Sequence, residues 1–292
     1  MAYQGAYINL DRSTSRKDAF LLSLKSANIS PQSYKRFSAI EPVSGSYKLH
    51  KGLKSDGELG LYLSLISLLE EINSSSYEEI VHIAEDDSAF SCHASSTIAN
   101  LRNALTDTSR NKLRPDIVFL DYFLNPDLCR LILSLSEEDK KQTFCLLPAE
   151  KYYMACTGSF LVRKSSAPYI AELLSRYINS SIRIAPVDIF IRNLFRGGLL
   201  KGSMISPSIG APDWKQDLGT LIQITADDSL RASQRSHLLL RILMSKIQTP
   251  YWCAMQLSSL YGIESPLTKN STKSDFITFF DAVKKEHKLP RF

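Results

Sequence analysis

The sequence predicts an α/β fold, a mixed or parallel sheet flanked by helices and followed by a helical annex. Three observations predict it. Short apolar segments typical of buried strands alternate with longer segments of helical periodicity as far as about residue 195. The first strand, helix and strand follow one another in the order that gives a right-handed parallel crossover. Two of the buried strands end on acidic residues, which places polar groups at the edge of the sheet.

The first crossover is predicted from three segments. Residues 5–10 are typical of a strand and are followed by a polar turn. Ser13, Thr14 and Ser15 are each possible N-caps of a helix over residues 16–27. Residues 34–40 are a candidate second strand, in which polar and apolar positions alternate.

The next segments continue the alternation of loop, helix and strand. Residues 41–55 are rich in Ser, Gly and Lys and predict a loop, and a strongly apolar helix follows to residue 69. Further on we expect strands at residues 80–83, 115–121, 142–147 and 156–162, and helices at residues 95–105, 165–177 and from 186. The segment 125–139 is left open between helix and loop, and residues 207–214 predict a loop.

Composition narrows the class of protein. The chain has 292 residues, of which 44% are hydrophobic, which is enough for one large domain with an annex. We expect no secretion signal, because the first residues lack a basic region followed by an apolar one, and no stretch is long enough to cross a bilayer. The five cysteines form no CxxC pair, so neither a disulfide framework nor a zinc site is indicated, and a cytoplasmic setting fits best.

Charge is concentrated near the carboxyl end. From residue 229 onward there are 10 Lys or Arg and 4 Asp or Glu, so this segment has a net charge of +6. The whole chain has a net charge of +5, so the residues before 229 carry −1. We therefore divide the chain into a domain of residues 1–228 and a basic helical annex of residues 229–292. Such an annex favours peripheral association with an anionic membrane, and the alternative is a solvated helical surface with surplus lysine. We expect no nucleic-acid partner.

The most informative stretch is the acidic end of the predicted strand at residues 80–83. Glu85, Asp86 and Asp87 follow it, and three adjacent carboxylates repel one another at the rim of a sheet. A divalent cation would relieve that repulsion, because hard cations prefer oxygen ligands. This pattern indicates a metal–diphosphate site or a solvated acidic turn, and these residues alone do not decide between the two.

Several segments carry a further signal through their order and spacing. They are residues 7–12 with Arg16, residues 34–40, residues 57–60 with Ser64, residues 83–87, residues 157–162 with Ala167, and residues 186–188. Together they resemble glycosyltransferase family 25, which includes bacterial lipooligosaccharide galactosyltransferases and collagen galactosyltransferases. The resemblance covers about residues 5–195. One departure is that Ser64 is followed by Leu65, where the family usually has histidine.

The resemblance implies a GT-A-type fold and a metal-dependent, inverting glycosyltransferase that moves a sugar, most simply galactose from UDP-galactose, to a lipopolysaccharide glycan. Another UDP-sugar, a protein acceptor, or a non-catalytic nucleotide-sugar-binding module are the alternatives. In the galactosyltransferase reading, the enzyme would act in the cytoplasm, on the inner face of the bacterial inner membrane.

The same resemblance assigns roles to residues. Those implied for the nucleotide are Asn9, Leu10, Asp11, Arg12, Arg16, Ala39, Ile40, Glu85 and Asp86. Asp87, helped by Glu85, would bind Mn²⁺ or Mg²⁺, and strand alternation predicts that Asp86 points to the other side.

Transfer also needs a base and an acceptor site. Asp188 is the predicted base, with Asp121 as runner-up, and Asp188 could equally be a favourable acid in the first turn of a helix. Glu58 and Ser64 are predicted to contact the acceptor, although Glu58 could instead cap the backbone of its helix.

Overall fold

The computed structural model describes residues 2–107, 114–123, 126–135, 144–180, 182–212, 265–268 and 270–286. In chain order its elements are β1 Tyr3–Asn9, α1 Thr14–Ser26, β2 Tyr34–Ser38, α2 Asp56–Ser74, β3 Tyr77–Glu85, β4 Ser88–Phe90, α3 Ala94–Thr106, β5 Ile117–Phe119, α4 Pro126–Ser134, β6 Cys145–Pro148, α5 Ala149–Tyr152, β7 Ser159–Arg163, α6 Ala167–Ile178, α7 Val187–Arg196, β8 Gly202–Ser206, β9 Gly210–Pro212 and α8 Lys273–Glu286. No helix among these residues is both long enough and apolar enough to span a membrane.

Seven strands form one mixed sheet in the order β2-β1-β3-β7-β5-β8-β6. The predicted crossover is present, because α1 connects β1 to β2 and these two strands pair in parallel. Strand β1 also pairs in parallel with β3. Strand β7 is antiparallel to both of its neighbours, β3 and β5. The fold class predicted from the sequence is therefore confirmed as α/β with a mixed sheet.

Helices cover both faces of this sheet and produce two apolar cores. Alternation along β1 sends Ala6 and Ile8 into one core and Tyr7 into the other. The first core is completed by α2, α6 and α7, and the second by α1 and α3. This three-layer arrangement fixes the carboxyl ends of β1 and β3 side by side, since the two strands are parallel and adjacent.

A buried series of hydrogen bonds links side chains of β2, β3 and β7. The His82 imidazole contacts the Tyr34 hydroxyl through Nδ1 at 2.5 Å and the Ser159 hydroxyl through Nε2 at 2.8 Å. Burial first, and then the charge of Arg102, lower the pKa of His82 to about 3. His82 is therefore a neutral core residue, which agrees with its position inside β3.

Two of the later strands differ from the sequence prediction, and one part of that prediction is not tested. The segment 207–214, predicted as a loop, contains β9, which pairs antiparallel with β4 in a second small sheet. Strand β8 was not predicted, because its Gly and Ser residues give no continuous apolar pattern. The predicted boundary at residue 228 and most of the predicted basic annex lie outside the described residues. Helix α8 belongs to the part of the annex that the structure does describe.

Candidate functional site

A cavity of about 320 Å³ opens at the carboxyl ends of β1 and β3, beside the amino end of α2. Ten of the predicted site residues line it: Asn9, Leu10, Arg12, Arg16, Ala39, Ile40, Ser64, Glu85, Asp86 and Asp87. The remaining lining residues are Ile8, Glu41, Pro42, Ser55, Asp56, Gly57, Gly60 and Leu61. The cavity thus combines a charged floor, formed by Asn9, Arg16, Asp86 and Asp87, with an apolar wall, formed by Ala39 and Ile40.

The charged floor is built around Arg16. Its guanidinium forms an ion pair with Asp86 and lies 3.1 Å from Asp87 Oδ2. Asn9 Nδ2 donates to the other Asp86 oxygen at 2.7 Å. The predicted separation of Asp86 from Asp87 is wrong, because β3 ends at Glu85 and strand alternation does not continue into the turn that carries both aspartates.

Burial and crowding shift the acidity of this cluster. Burial first, and then the charges of Asp87 and Asp86, raise the pKa of Glu85 to about 8. Burial also raises the pKa of Asp86, although Arg16 and Asn9 oppose that rise. Burial lowers the pKa of Arg16, but the neighbouring carboxylates more than reverse this, so the guanidinium stays charged. In the unliganded cavity the protonated form of Glu85 therefore predominates at neutral pH, and Arg16 offsets the charge of one of the two aspartates.

Arg36 orients the floor and was not singled out in the sequence. Its Nε donates to Asn9 Oδ1 at 2.8 Å, which leaves the Asn9 amide nitrogen free to donate to Asp86. Its Nη2 also pairs with Asp11 at 2.6 Å. The signal that could have found it is the parallel register of β1 and β2, in which Arg36 stands opposite Tyr7, two residues before Asn9.

Asp11 has a different place from the one predicted. Its carboxylate accepts from Arg36 and from the Ser38 hydroxyl at 2.7 Å, and these bonds lower its pKa. It is exposed and is not among the described residues that line the cavity. Asp11 therefore acts on the site through the β1–β2 edge, and its predicted nucleotide contact stays a prediction.

The two predicted acceptor residues make contacts within the fold. Glu58 accepts from the Lys54 backbone N–H at 2.6 Å, while Ser55 Oγ accepts from the Glu58 N–H at 3.2 Å. Ser55 thus caps the start of α2, and Glu58 bonds the N–H of the residue before the cap, so both side chains satisfy backbone groups here, which was the alternative considered for Glu58. Glu58 is not among the described residues that line the cavity.

Ser64 holds the apolar wall in place. Its hydroxyl accepts from the Ile40 backbone N–H at 2.9 Å, and the preceding Ala39 N–H donates to Asn9 O at 3.0 Å. One turn earlier on α2, a Cβ on Gly60 would lie 2.7 Å from Ile40 O. Glycine at this position is thus what lets the wall lie directly against the helix.

The predicted bases adjoin the segment 156–158, which also contacts Glu85. Thr157 donates to Glu85 at 3.2 Å, and Cys156 N donates to Asp188 Oδ2 at 3.4 Å. A Cβ on Gly158 would lie 3.3 Å from Asp121 Oδ2. Burial raises the pKa of Asp188, although backbone hydrogen bonds oppose it. Neither aspartate is among the described residues that line the cavity, so their catalytic roles stay predictions.

The oxygen donors fit a hard cation by type. Asp86 and Asp87 are carboxylates at the cavity surface, and such ions are held by one or two carboxylates with substrate oxygens completing the shell. The described residues contain no group of three acidic, histidine or cysteine side chains arranged to hold a metal by themselves. A metal here would therefore complete its shell with other oxygens, such as those of water or a bound phosphate.

Comparisons with known proteins add little. No protein-family model and no curated protein matches this sequence. Among solved structures, the S. aureus TarS 1-349 in complex with UDP-GlcNAc is similar over 99% of this chain and 92% of that chain, with 9% identity and a TM-score of 0.37. At that TM-score we draw nothing from it about the chemistry of this chain.

Proposed function

We propose that this chain is a glycosyltransferase that binds the diphosphate of a nucleotide sugar in the cavity at the carboxyl ends of β1 and β3. The observation that carries the proposal is the pairing of two arginines and adjacent aspartates with an apolar wall in one cavity. Its volume of about 320 Å³ is in the range of small-molecule sites. Ligands of open α/β sheets bind at this edge.

Arg12 and Arg16 are the proposed diphosphate contacts. A guanidinium presents paired N–H donors that match phosphate oxygens. Arg12 pairs with Glu41 at the cavity surface, and about half of each side chain is exposed, so this arginine can exchange partners at little cost. Ala39 and Ile40 form the wall proposed for the uracil ring, and Asn9 and Leu10 border the same space.

Asp87 is the proposed ligand for Mn²⁺ or Mg²⁺, with Asp86 beside it. When bound, a divalent ion would stabilise the negative charge that develops on the departing diphosphate. Glu85 was predicted to help bind the ion. Burial and the neighbouring aspartates raise the pKa of Glu85 to about 8 in the unliganded cavity, and a divalent cation beside it would favour the carboxylate, so we propose Glu85 as a supporting ligand of the ion.

An inverting transfer requires a carboxylate that takes the proton from the acceptor hydroxyl. Asp188 is the proposed base and Asp121 the alternative. Burial raises the pKa of Asp188, which favours proton uptake at its Oδ atoms. The bond from Cys156 N to Asp188 connects the base to the segment that also contacts Glu85, and so links it to the diphosphate end of the site.

The resemblance to family 25 makes UDP-galactose the proposed donor and a lipopolysaccharide glycan the proposed acceptor. Another UDP-sugar or a protein acceptor would use the same cavity. A non-catalytic nucleotide-sugar-binding module is the competing function, and it is favoured by one observation: Asp121 and Asp188 are not among the described residues lining the cavity. The presence of Glu85, Asp87 and Asp188 at the positions that the resemblance implies supports the enzyme.

Calorimetry with UDP, in the presence and absence of MnCl₂, tests the proposal. We expect manganese-dependent binding that is lost in Asp87→Ala and kept in the control Asp18→Ala, which removes an exposed acid from α1. A screen of UDP-sugars for slow hydrolysis then separates the enzyme from the binding module. Asp188→Asn should bind UDP but lose turnover, and retained turnover would exclude Asp188 as the base.

A further inference from the structure

One surface beside the cavity combines exposed apolar side chains with cations. Val43, Leu49 and Ile182 are 81%, 86% and 59% exposed, and the first two are the most exposed large hydrophobic residues of the described chain. Lys48, Lys51, Lys54 and Arg183 are exposed in the same two segments. We call these seven residues the loop surface. Single exposed hydrophobic residues need no explanation, but three on adjoining segments do.

Hydrogen bonds hold the two segments of the loop surface together. His50 Nδ1 contacts Ile178 O at 3.0 Å, and Ile184 N donates to Lys51 O at 2.7 Å. His50 directly follows Leu49 in the first segment, and Ile184 lies two residues after Ile182 in the second. The apolar side chains are thus presented by a braced loop.

A second brace fixes the other end of the loop. The Asp56 carboxylate at the start of α2 accepts from the backbone N–H groups of Gly45 at 2.7 Å and Tyr47 at 3.0 Å. A short 3₁₀ helix, Ser46–Leu49, follows Gly45 and ends at the exposed leucine. The backbone of the loop is therefore held by hydrogen bonds at both ends while Leu49 stays exposed.

The charge of the loop surface indicates what covers it. Residues 43–54 contain three lysines and no acid, and Arg183 adds a fourth cation. Apolar side chains rimmed by cations match the boundary between the acyl chains and the headgroups of an anionic bilayer. A protein partner with an acidic rim would need a larger apolar area than three separate side chains provide.

The loop surface is also continuous with the cavity. Glu41 and Pro42 precede Val43, and Ser55, Asp56 and Gly57 follow Lys54, and all five line the cavity. A bilayer against this loop would lie next to the proposed nucleotide-sugar site. If the acceptor is lipid-anchored, as the proposed function has it, this placement brings its headgroup sugars to the donor.

We propose that Leu49, Val43 and Ile182 insert into an anionic lipid surface while the four cations of the loop surface contact its phosphates. This proposal rests on the proposed function only for the identity of the acceptor. The membrane contact is a separate property of residues 43–54 and 182–183, and it differs from an attachment through the basic annex because it orients the cavity toward the bilayer.

Vesicle co-sedimentation of the full chain tests the proposal with a matched pair of double variants. Leu49→Ser/Lys51→Glu alters the loop surface. Leu22→Ser/Lys25→Glu makes the same changes on α1, where Leu22 is 64% exposed, on the opposite face of the sheet from α2. We expect binding to mixed phosphatidylcholine–phosphatidylglycerol vesicles to fall by roughly tenfold or more in the first variant only.

The proposal would be overturned if the wild-type chain did not bind the anionic vesicles. It would also be overturned if the two double variants bound equally well, and an equal loss in both would indicate attraction by net charge alone. UDP calorimetry without vesicles is run on every variant. Normal UDP binding with no vesicle effect refutes the membrane contact and leaves the proposed function standing.

A residue-specific probe removes any dependence on the annex. Leu49→Trp places an indole at the tip of the loop surface. We expect its emission to shift to the blue on addition of anionic vesicles and to be quenched by lipids that carry a quencher in the acyl chain. Leu22→Trp should show neither change. An indole at position 49 that stays in water while the protein sediments with vesicles would contradict insertion.

Discussion

Arg16→Met removes the cation that lies between Asp86 and Asp87. The side chains of Arg16 and Asp86 are only 11% and 8% exposed, so the aspartate would be left buried without its partner. Breaking a buried pair in this way typically costs about 3–5 kcal/mol. Because the Asp87 side chain is 19% exposed and can turn to water, we expect a loss near the lower end, about 3 kcal/mol of unfolding free energy.

The loss should depend on pH, with a sign fixed by Asp86. Its pKa is already raised by burial, and removal of Arg16 raises it further. A carboxyl with a higher pKa in the folded than in the unfolded chain costs stability above its unfolded pKa, and that cost disappears as pH falls through the folded value. The difference between variant and wild type in urea unfolding should therefore shrink from pH 7 to pH 5.

Arg12→Met is the matched control, because it makes the same substitution in the same cavity. Arg12 and Glu41 are 56% and 48% exposed, and exposed pairs of this kind contribute less than about 1 kcal/mol. Both variants should weaken UDP binding if the arginines contact the diphosphate. Equal stabilities of the two variants, or an Arg16→Met deficit that is the same at pH 7 and pH 5, would refute the reasoning.

Three further predictions concern the wall, the core and the start of α2. Gly60→Ala sets a Cβ 2.7 Å from Ile40 O, so we expect about 1–3 kcal/mol lower stability and weaker UDP binding, measured by urea unfolding and calorimetry. The neutral, buried His82, with a pKa near 3 against 6.5 unfolded, makes wild-type stability fall by about 1.4 kcal/mol per pH unit below pH 6.5, and urea titrations should show a flatter dependence in His82→Gln. Glu58→Ala loses the bond from Lys54 N and should cost about 1 kcal/mol in thermal or urea unfolding with unchanged UDP binding, whereas unchanged stability with a raised acceptor KM would restore its acceptor role.

The crossover that forms the site was predictable because its signals are local. Residues 5–10 and 34–40 read as strands around a capped helix, and handedness then places their carboxyl ends at one edge. That edge is where Asn9, Arg16 and Ala39 line the cavity. Local propensity was sufficient there to place the elements, although α1 begins at Thr14 and its N-cap Ser13 makes no side-chain cap hydrogen bond.

The pairings that involve distant residues were not predictable in the same way. Strand β4 has three residues and is stabilised by bonds to β9, more than a hundred positions later. The contact of Arg16 with Asp86 joins residues 70 positions apart, and no periodicity in either segment encodes it. Ser64 was assigned to the acceptor through the resemblance to family 25, while its partner in the structure, the Ile40 backbone N–H, gives no signal in a sequence.

The charge of the acidic cluster explains why a turn and an anion site need not be alternatives. Of its three carboxylates, Glu85 is mostly protonated near pH 7 and Arg16 neutralises one aspartate, so about one negative charge remains. We expect this remaining negative charge to oppose the binding of a diphosphate alone, since like charges at close range repel in a partly buried site. On the proposed function, a divalent cation bound with the diphosphate at Asp87, and Arg12 released from Glu41, would supply the missing positive charge. We therefore expect UDP binding to depend on a metal ion, and calorimetry with and without MnCl₂ tests this.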